Sequence, residues 1–198
     1  MKESLYEKKK IEELEEYSRD LEFLAKNNSE VIFPNRDHKH AAIAMSKILK
    51  YSKNDFILFD NDLSGDVTQN EQVESFREAL FEFIGRNGSI RIVAGKKYNN
   101  GETSELENYL SNLTQIFPER IEVKHASLEF KSKIKEIYNE NISFVVGDNN
   151  KFRLELQGND DNCEITREAT CSFNNKRLPE KINSVFNSNY SSCTPYFK

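Results

Sequence analysis

No apolar run in this chain approaches the roughly 18 residues needed to cross a bilayer. Met1-Lys2-Glu3 leads into more charge rather than into an apolar segment, so no secretory leader and no membrane partner are expected, and the cytoplasm is the expected location. Cysteine is scarce: Cys163, Cys171 and Cys193 form no Cys-x-x-Cys pair, and only three histidines stand beside them. That spacing supports no zinc site. An odd count argues against a disulfide framework, so all three thiols are expected to be reduced. Glycine-rich phosphate motifs are missing too, with neither G-x-G-x-x-G nor a Walker pattern. No resident metal or cofactor is therefore expected. A basic excess is also lacking. The net charge of −5 disfavours broad, charge-driven binding of DNA or RNA but leaves room for a local basic groove. No internal repeat or long low-complexity run appears.

What is present is an ordinary globular composition, 37% hydrophobic and 31% charged over 198 residues. That length suits one sizeable core and is short for two domains. Residues 3–28 read as a highly charged helix with Leu14, Tyr17, Leu21 and Leu24 at spacings of three and four. Such a stripe serves either a dimerising coiled coil or docking helix for a protein partner, or packing on its own domain. Val31-Ile32-Phe33-Pro34 reads as a short extended linker. Three segments are expected from this: a charged helix over 1–30, an α/β domain over 31–190 and a tail over 191–198. The tail carries Tyr190, Tyr196 and Phe197, which either pack or hang free.

Within the central segment helices and strands alternate. Residues 37–53 read as a helix burying Ala41, Ala42, Met45, Ile48 and Leu49, with His38 and His40 in its first turn beside Arg36, Lys39 and Lys47. A helix start with that charge favours anions, though two solvated histidines are the simpler and preferred reading. Phe56-Ile57-Leu58-Phe59 is a buried strand, followed by Asp60-Asn61-Asp62 where α/β sheets place ligand groups. With no second ligand cluster in view, these acids read as loop caps. Thr68 and Glu71 resemble a capping box opening a helix to Arg86, and Ser104 and Glu107 resemble another. Residues 90–94 and 120–124 read as strands, and 129–139 as a helix or mobile connection. Residues 157–163 form a polar loop, 167–173 a last strand, and Leu178, Ile182, Val185 and Phe186 mark a final helix. The pattern is that of a layered α/β fold, with a mixed sheet of about six strands and helices on both faces.

The most informative stretch is Asn141 to Gln157. Ile142, Phe144, Val145 and Val146 form a continuous apolar strand, Gly147-Asp148-Asn149-Asn150 a turn, and Phe152, Leu154 and Leu156 alternate with Lys151, Arg153, Glu155 and Gln157. A hairpin follows, its polar face lined by Arg153 and Glu155. This stretch resembles the His-x-Lys-x-x-x-x-Asp motif of the phospholipase D superfamily. Asp148 matches the motif's Asp, Ser143 falls at its Lys and Asn141 at its His. Ser172-Phe173-Asn174 resembles the Ser-x-Asn that often follows. The segment order from about residue 36 to 190 is similar to the small single-repeat members of that superfamily, and the resemblance implies the same layered fold.

The chemistry the resemblance implies is then reduced. In the family one His attacks phosphorus, a second from the paired half protonates the leaving oxygen, and the Lys stabilises phosphoryl charge. Asn141 can donate a hydrogen bond but is no nucleophile, and Ser143 carries no charge. No catalytic residues are expected at Asn141, Ser143 and Asp148. His40, Arg153, Glu155, Ser172 and Asn174 are the candidate binding residues. The expected role is a catalytically silent phospholipase D-like module for binding or assembly, with a dimer implied by the family and a bacterial nucleic-acid-processing or phage-defence context. The alternative is a metal-dependent nuclease or phosphodiesterase, because Asp148, Glu155 and Gln157 loosely resemble the Asp…Glu-x-Lys arrangement of metal-dependent nucleases. A small-ligand or nucleotide sensor using a cleft near Asp60, His40 and Arg153 is a third reading.

Overall fold

The computed structural model describes residues 2–35, 37–62, 71–96, 104–137, 141–157 and 167–197. The expected capping box from Thr68, the loop residues 97–101 and 158–163, and Arg36, Tyr138 and Cys163 lie outside them. In chain order the elements are α1 (Lys2–Lys26), β1 (Phe33–Asn35), α2 (His38–Tyr51), β2 (Asp55–Asp62), α3 (Glu71–Gly85), β3 (Ser89–Lys96), α4 (Glu105–Ile116), β4 (Ile121–His125), α5 (Leu128–Lys135), β5 (Asn141–Gly147), β6 (Lys151–Gln157), β7 (Arg167–Ser172), α6 (Arg177–Asn189), a 3-10 turn (Tyr190–Ser192) and β8 (Thr194–Pro195).

Among the described residues the strands form one sheet of eight, ordered β1-β7-β6-β5-β2-β3-β4-β8. The β2-β3-β4 pairs are parallel and the rest antiparallel. The expectation of about six strands is corrected to eight. Both extra strands are short edges with no periodic signal. In β1 Pro34 has no N–H to give, which an edge position tolerates, and β8 is two residues drawn from the expected tail.

Alternation along each strand sorts the apolar side chains onto two faces. One face takes Leu58, Ile92, Val123 and Val145 into a core with α1, α2, α3 and α4. The other takes Ile57, Phe59, Phe144 and Leu154 into a core with α5 and α6. There Phe59, Phe130, Phe144 and Phe186 meet in tilted and edge-on ring contacts with centroids 5.4–6.2 Å apart.

The stripe on α1 enters the first core: Leu14, Tyr17, Leu21 and Ala25 are buried against α2. Glu22 clamps the two helices, accepting from Lys47 at 2.7 Å, Lys50 at 2.9 Å and Tyr51 at 2.5 Å. Burial alone would raise the Glu22 carboxyl, but the three donors outweigh it and hold it down at about 2, against an ordinary 4.5. A depressed carboxyl adds stability above its unfolded pKa and loses it as pH falls through the folded one. Glu22→Gln should therefore lower stability at pH 7 by about 1–2 kcal/mol, after discounting for solvent contact. Urea titrations at several pH values check this: the gap to the parent protein should close between pH 5 and pH 2.

Candidate functional site

The strand registers line up one residue from each strand in a single row across the α1–α4 face. Asn35 pairs with Ala169, Ala169 with Glu155 and Glu155 with Ser143. The Ser143 hydroxyl donates to Asp60 Oδ1 at 2.9 Å, Asp60 pairs with Ala94, Ala94 with His125 and His125 with Thr194. Two residues further in, the matching row is Phe33, Cys171, Arg153, Val145, Leu58, Ile92 and Val123. The apolar core thus ends at a polar rim, at the carboxyl ends of the parallel strands where α/β folds carry their sites. Ser143 lies at its middle, and Asn141, exposed, stands one alternation further out on β5.

The row is buried on its β1 side and partly covered on its β4 side. On the β1 side Arg153 Nε donates to Asn35 Oδ1 at 2.7 Å, and its other nitrogen donates to Glu155 Oε2 at 2.6 Å. All three are buried, so the two charges satisfy each other inside the fold. Tyr17 of α1 covers them, its ring 5.6 Å from Phe33 and edge-on to His40 at 4.4 Å. Burial pushes its hydroxyl well up, and the neighbouring Cys171 thiol adds to this while Arg153 pulls it down. His40 faces Asp37, whose carboxylate caps α2 through the Lys39 and His40 amides and meets His40 Nδ1 at 2.7 Å. The basic helix start and Arg153 are therefore linked, through Asn35 donating to the Asp37 carbonyl at 3.5 Å, but Arg153 does not open onto a cleft.

On the β4 side Tyr196 covers part of the row. Tyr196 is buried, its ring edge-on to His125, and its hydroxyl donates to the Glu107 carboxylate. Glu107 also accepts from the Ser104 amide at 2.9 Å while Ser104 Oγ accepts from the Glu107 amide, the expected capping box. The row meets solvent at its centre, where Asp60 is half-buried and Asn141, one alternation further out, is exposed, and again at its β8 end, where His125 is half-buried and Thr194 exposed. At the centre a carboxylate and a hydroxyl meet, with the amide of Asn141 one alternation further along β5. That set binds through hydrogen bonds and contains no imidazole or ammonium.

The other candidates sit elsewhere. Asp148 terminates β5 five residues beyond Ser143, about 16 Å along the strand. It adopts φ 48° and accepts from the Lys53, Asn54 and Asp55 amides at 2.6, 2.8 and 3.2 Å. Lys151 lies 3.5 Å from it; burial pushes that ammonium's pKa down and Asp148 counters the shift. Gly147 has no side chain because a Cβ there would fall 2.1 Å from Ser52 Oγ at the end of α2. Ser172 pairs in register with Phe152, on the face opposite to Arg153, and its buried hydroxyl has no hydrogen-bond partner among the described residues. Asn174 accepts from Asn150 at the hairpin turn. Ser172 and Asn174 thus lie toward the turn that carries Asp148 and away from Asn141 and Ser143: a Ser-x-Asn spacing says nothing about which face or end of the sheet its residues occupy. Asn35, His125, Tyr17 and Tyr196 escape a sequence reading because only long-range register brings them to the row.

Several solved structures share this architecture. TrmBL2, an archaeal chromatin protein whose structure shows a novel mode of DNA binding, matches with a TM-score of 0.57 at 16% identity, over 98% of this chain and 64% of its own. This chain thus spans less than two thirds of that protein. Nuc from Salmonella typhimurium, a phospholipase D family member, matches with a TM-score of 0.54 at 11% identity, over 85% of this chain and 99% of Nuc. NucT from Helicobacter pylori gives 0.51 at 11% identity, over 84% and 98%. No family model matches the chain, and no curated protein matches it by sequence. At these identities the likeness is one of fold.

Proposed function

We propose that this chain, which has the phospholipase D-like fold, is a binding and assembly module that has lost the fold's phosphodiester chemistry. The observation that carries this is the centre of the polar row. Where the motif holds a cationic Lys, Ser143 donates to Asp60, and where it holds the His nucleophile there is the amide of Asn141. Arg153, the cation on the row's β1 flank, is buried against Glu155 and Asn35. General acid–base catalysis by a side chain contributes roughly 10²–10⁴ in rate, and the nucleophile is gone as well. The module works by self-association and by docking a partner. A nucleic-acid-processing or phage-defence setting draws support from TrmBL2, a DNA-binding chromatin protein, whose match leaves out only about 2% of this chain and so takes in most of α1.

The metal-dependent alternative gains no support from the hairpin. Its two acids, Asp148 and Glu155, lie at opposite ends of the strand pair, and each is engaged, one by three amides and the other by Arg153. Among the described residues no three His, Cys, Asp or Glu side chains gather as metal ligands. Single- and double-stranded DNA and RNA, incubated with the protein in EDTA, Mg²⁺ or Mn²⁺, should stay intact on a denaturing gel. Metal-dependent cleavage that vanishes in a folded Glu155→Gln variant would establish the alternative instead.

A further inference from the structure

α1 runs parallel to α2: Tyr17 meets His40 in the first turn of α2, and Glu22 meets Lys47, Lys50 and Tyr51 toward its end. Residues ahead of Leu14 therefore pass beyond the start of α2, at the end of the sheet where Asn35 enters the polar row. Every residue from Glu7 to Glu13 is exposed, nearly two full turns with no side covered by the domain. At 1.5 Å per residue this arm stands about 10 Å clear.

A helix that is polar on all sides needs internal ion pairs or a partner. Its charge order suits the first poorly. Lys8, Lys9 and Lys10 precede Glu12, Glu13, Glu15 and Glu16, whereas an isolated helix prefers acids before bases, both for pairs four apart and for its dipole. Among the described residues, this stretch forms one internal ion pair, Glu15 with Arg19 at 3.9 Å, both well exposed. Turned end for end, the same order complements itself. An antiparallel pair centred near Ile11 and Glu12 sets the lysine block of each copy against the glutamate block of the other. The exposed Ile11 side chains meet near the two-fold axis. A parallel pair would set lysine on lysine.

We propose that the projecting half of α1 is a self-association arm, and that its partner is the same segment of a second copy, antiparallel. This rests on the assembly role proposed above and supplies its surface. Because the arm rises from the rim that holds Asn141 and Asp60, pairing turns the two open row centres toward each other.

Exposed ion pairs are individually weak and screened by salt, so the association is weak and salt-dependent. Sedimentation velocity of the full chain should show self-association that weakens by about tenfold or more from low salt to 0.5 M. A variant with Lys8→Glu, Lys9→Glu and Lys10→Glu should sediment as a monomer, and so should one with Glu12→Lys, Glu13→Lys and Glu16→Lys. Mixing the two in equal amounts should restore the dimer. All six positions are exposed, and thermal melts by circular dichroism confirm that each variant is folded. Parent protein that stays monomeric at low salt overturns the arm. Variants that self-associate as well as the parent also overturn it, while leaving assembly through another surface intact. Loss of the silent-module role would instead show as hydrolysis, which these measurements do not read.

Discussion

Asp148→Ala is expected to destabilise the domain by about 3 kcal/mol. Three backbone amides, those of Lys53, Asn54 and Asp55, lose a shared carboxylate. Hydrogen bonds to a charged group contribute about 1.5–3 kcal/mol each in favourable settings. These amides lie in exposed residues and water replaces part of the loss. Alanine adds a penalty of about 1 kcal/mol for the left-handed backbone that Asp148 adopts at φ 48°. Lys151, buried beside it, loses its counter-charge. Asp148→Asn keeps the turn and one acceptor and should cost about 1 kcal/mol. Urea denaturation separates the two: both should lower the midpoint at an unchanged slope, alanine by much more. A pure catalytic Asp would show neither loss. The residue that best matches the motif is therefore a fold residue here, tying the β5–β6 turn to the entry of β2.

The second large effect concerns Arg153 and Glu155. Arg153→Ala leaves the Glu155 carboxylate buried with its guanidinium partner gone, and Asn35 loses the donor at 2.7 Å. Breaking one side of a buried ion pair costs about 3–5 kcal/mol, whereas replacing both partners by apolar groups of similar volume is often neutral. Arg153→Met combined with Glu155→Leu should accordingly fold with stability within about 1 kcal/mol of the parent. Thermal and urea unfolding of the two variants make the comparison. If the double variant were as damaged as Arg153→Ala, the charge itself, rather than its pairing, would matter to this face.

The alternation of helices and strands is legible in the sequence because it depends on local periods. Phe152, Leu154 and Leu156 announce β6, and Leu106, Leu110 and Leu113 announce α4, without knowledge of what each packs against. The apolar stripe of α1 is equally plain, but its destination is not, since Tyr17 is as suited to a coiled coil as to the pocket beside Phe33 and His40. The polar row is invisible for a stronger reason. Asn35 and His125 lie 90 residues apart in sequence and share a row only because the seven strands from β1 to β4 in the sheet pair in particular registers. A two-residue slip in any one would exchange the row's members with the apolar ones beneath. Ser172 illustrates the same point from the other side, because one step along β7 from Cys171 moves a side chain through the sheet. Edge strands as short as β1 and β8 carry too few residues for a period to show.

The most direct measurement is turnover of a generic phosphodiester, bis(p-nitrophenyl) phosphate, with protein in excess so that a single slow event is seen. Parent protein, Asn141→Ala and Asp60→Ala would be compared over the neutral pH range. A row centre made of Asn141, Ser143 and Asp60 predicts release of nitrophenol at the rate of buffer alone in all three. Release above buffer by the parent, lost in either folded variant, would contradict it and give this rim a chemistry of its own.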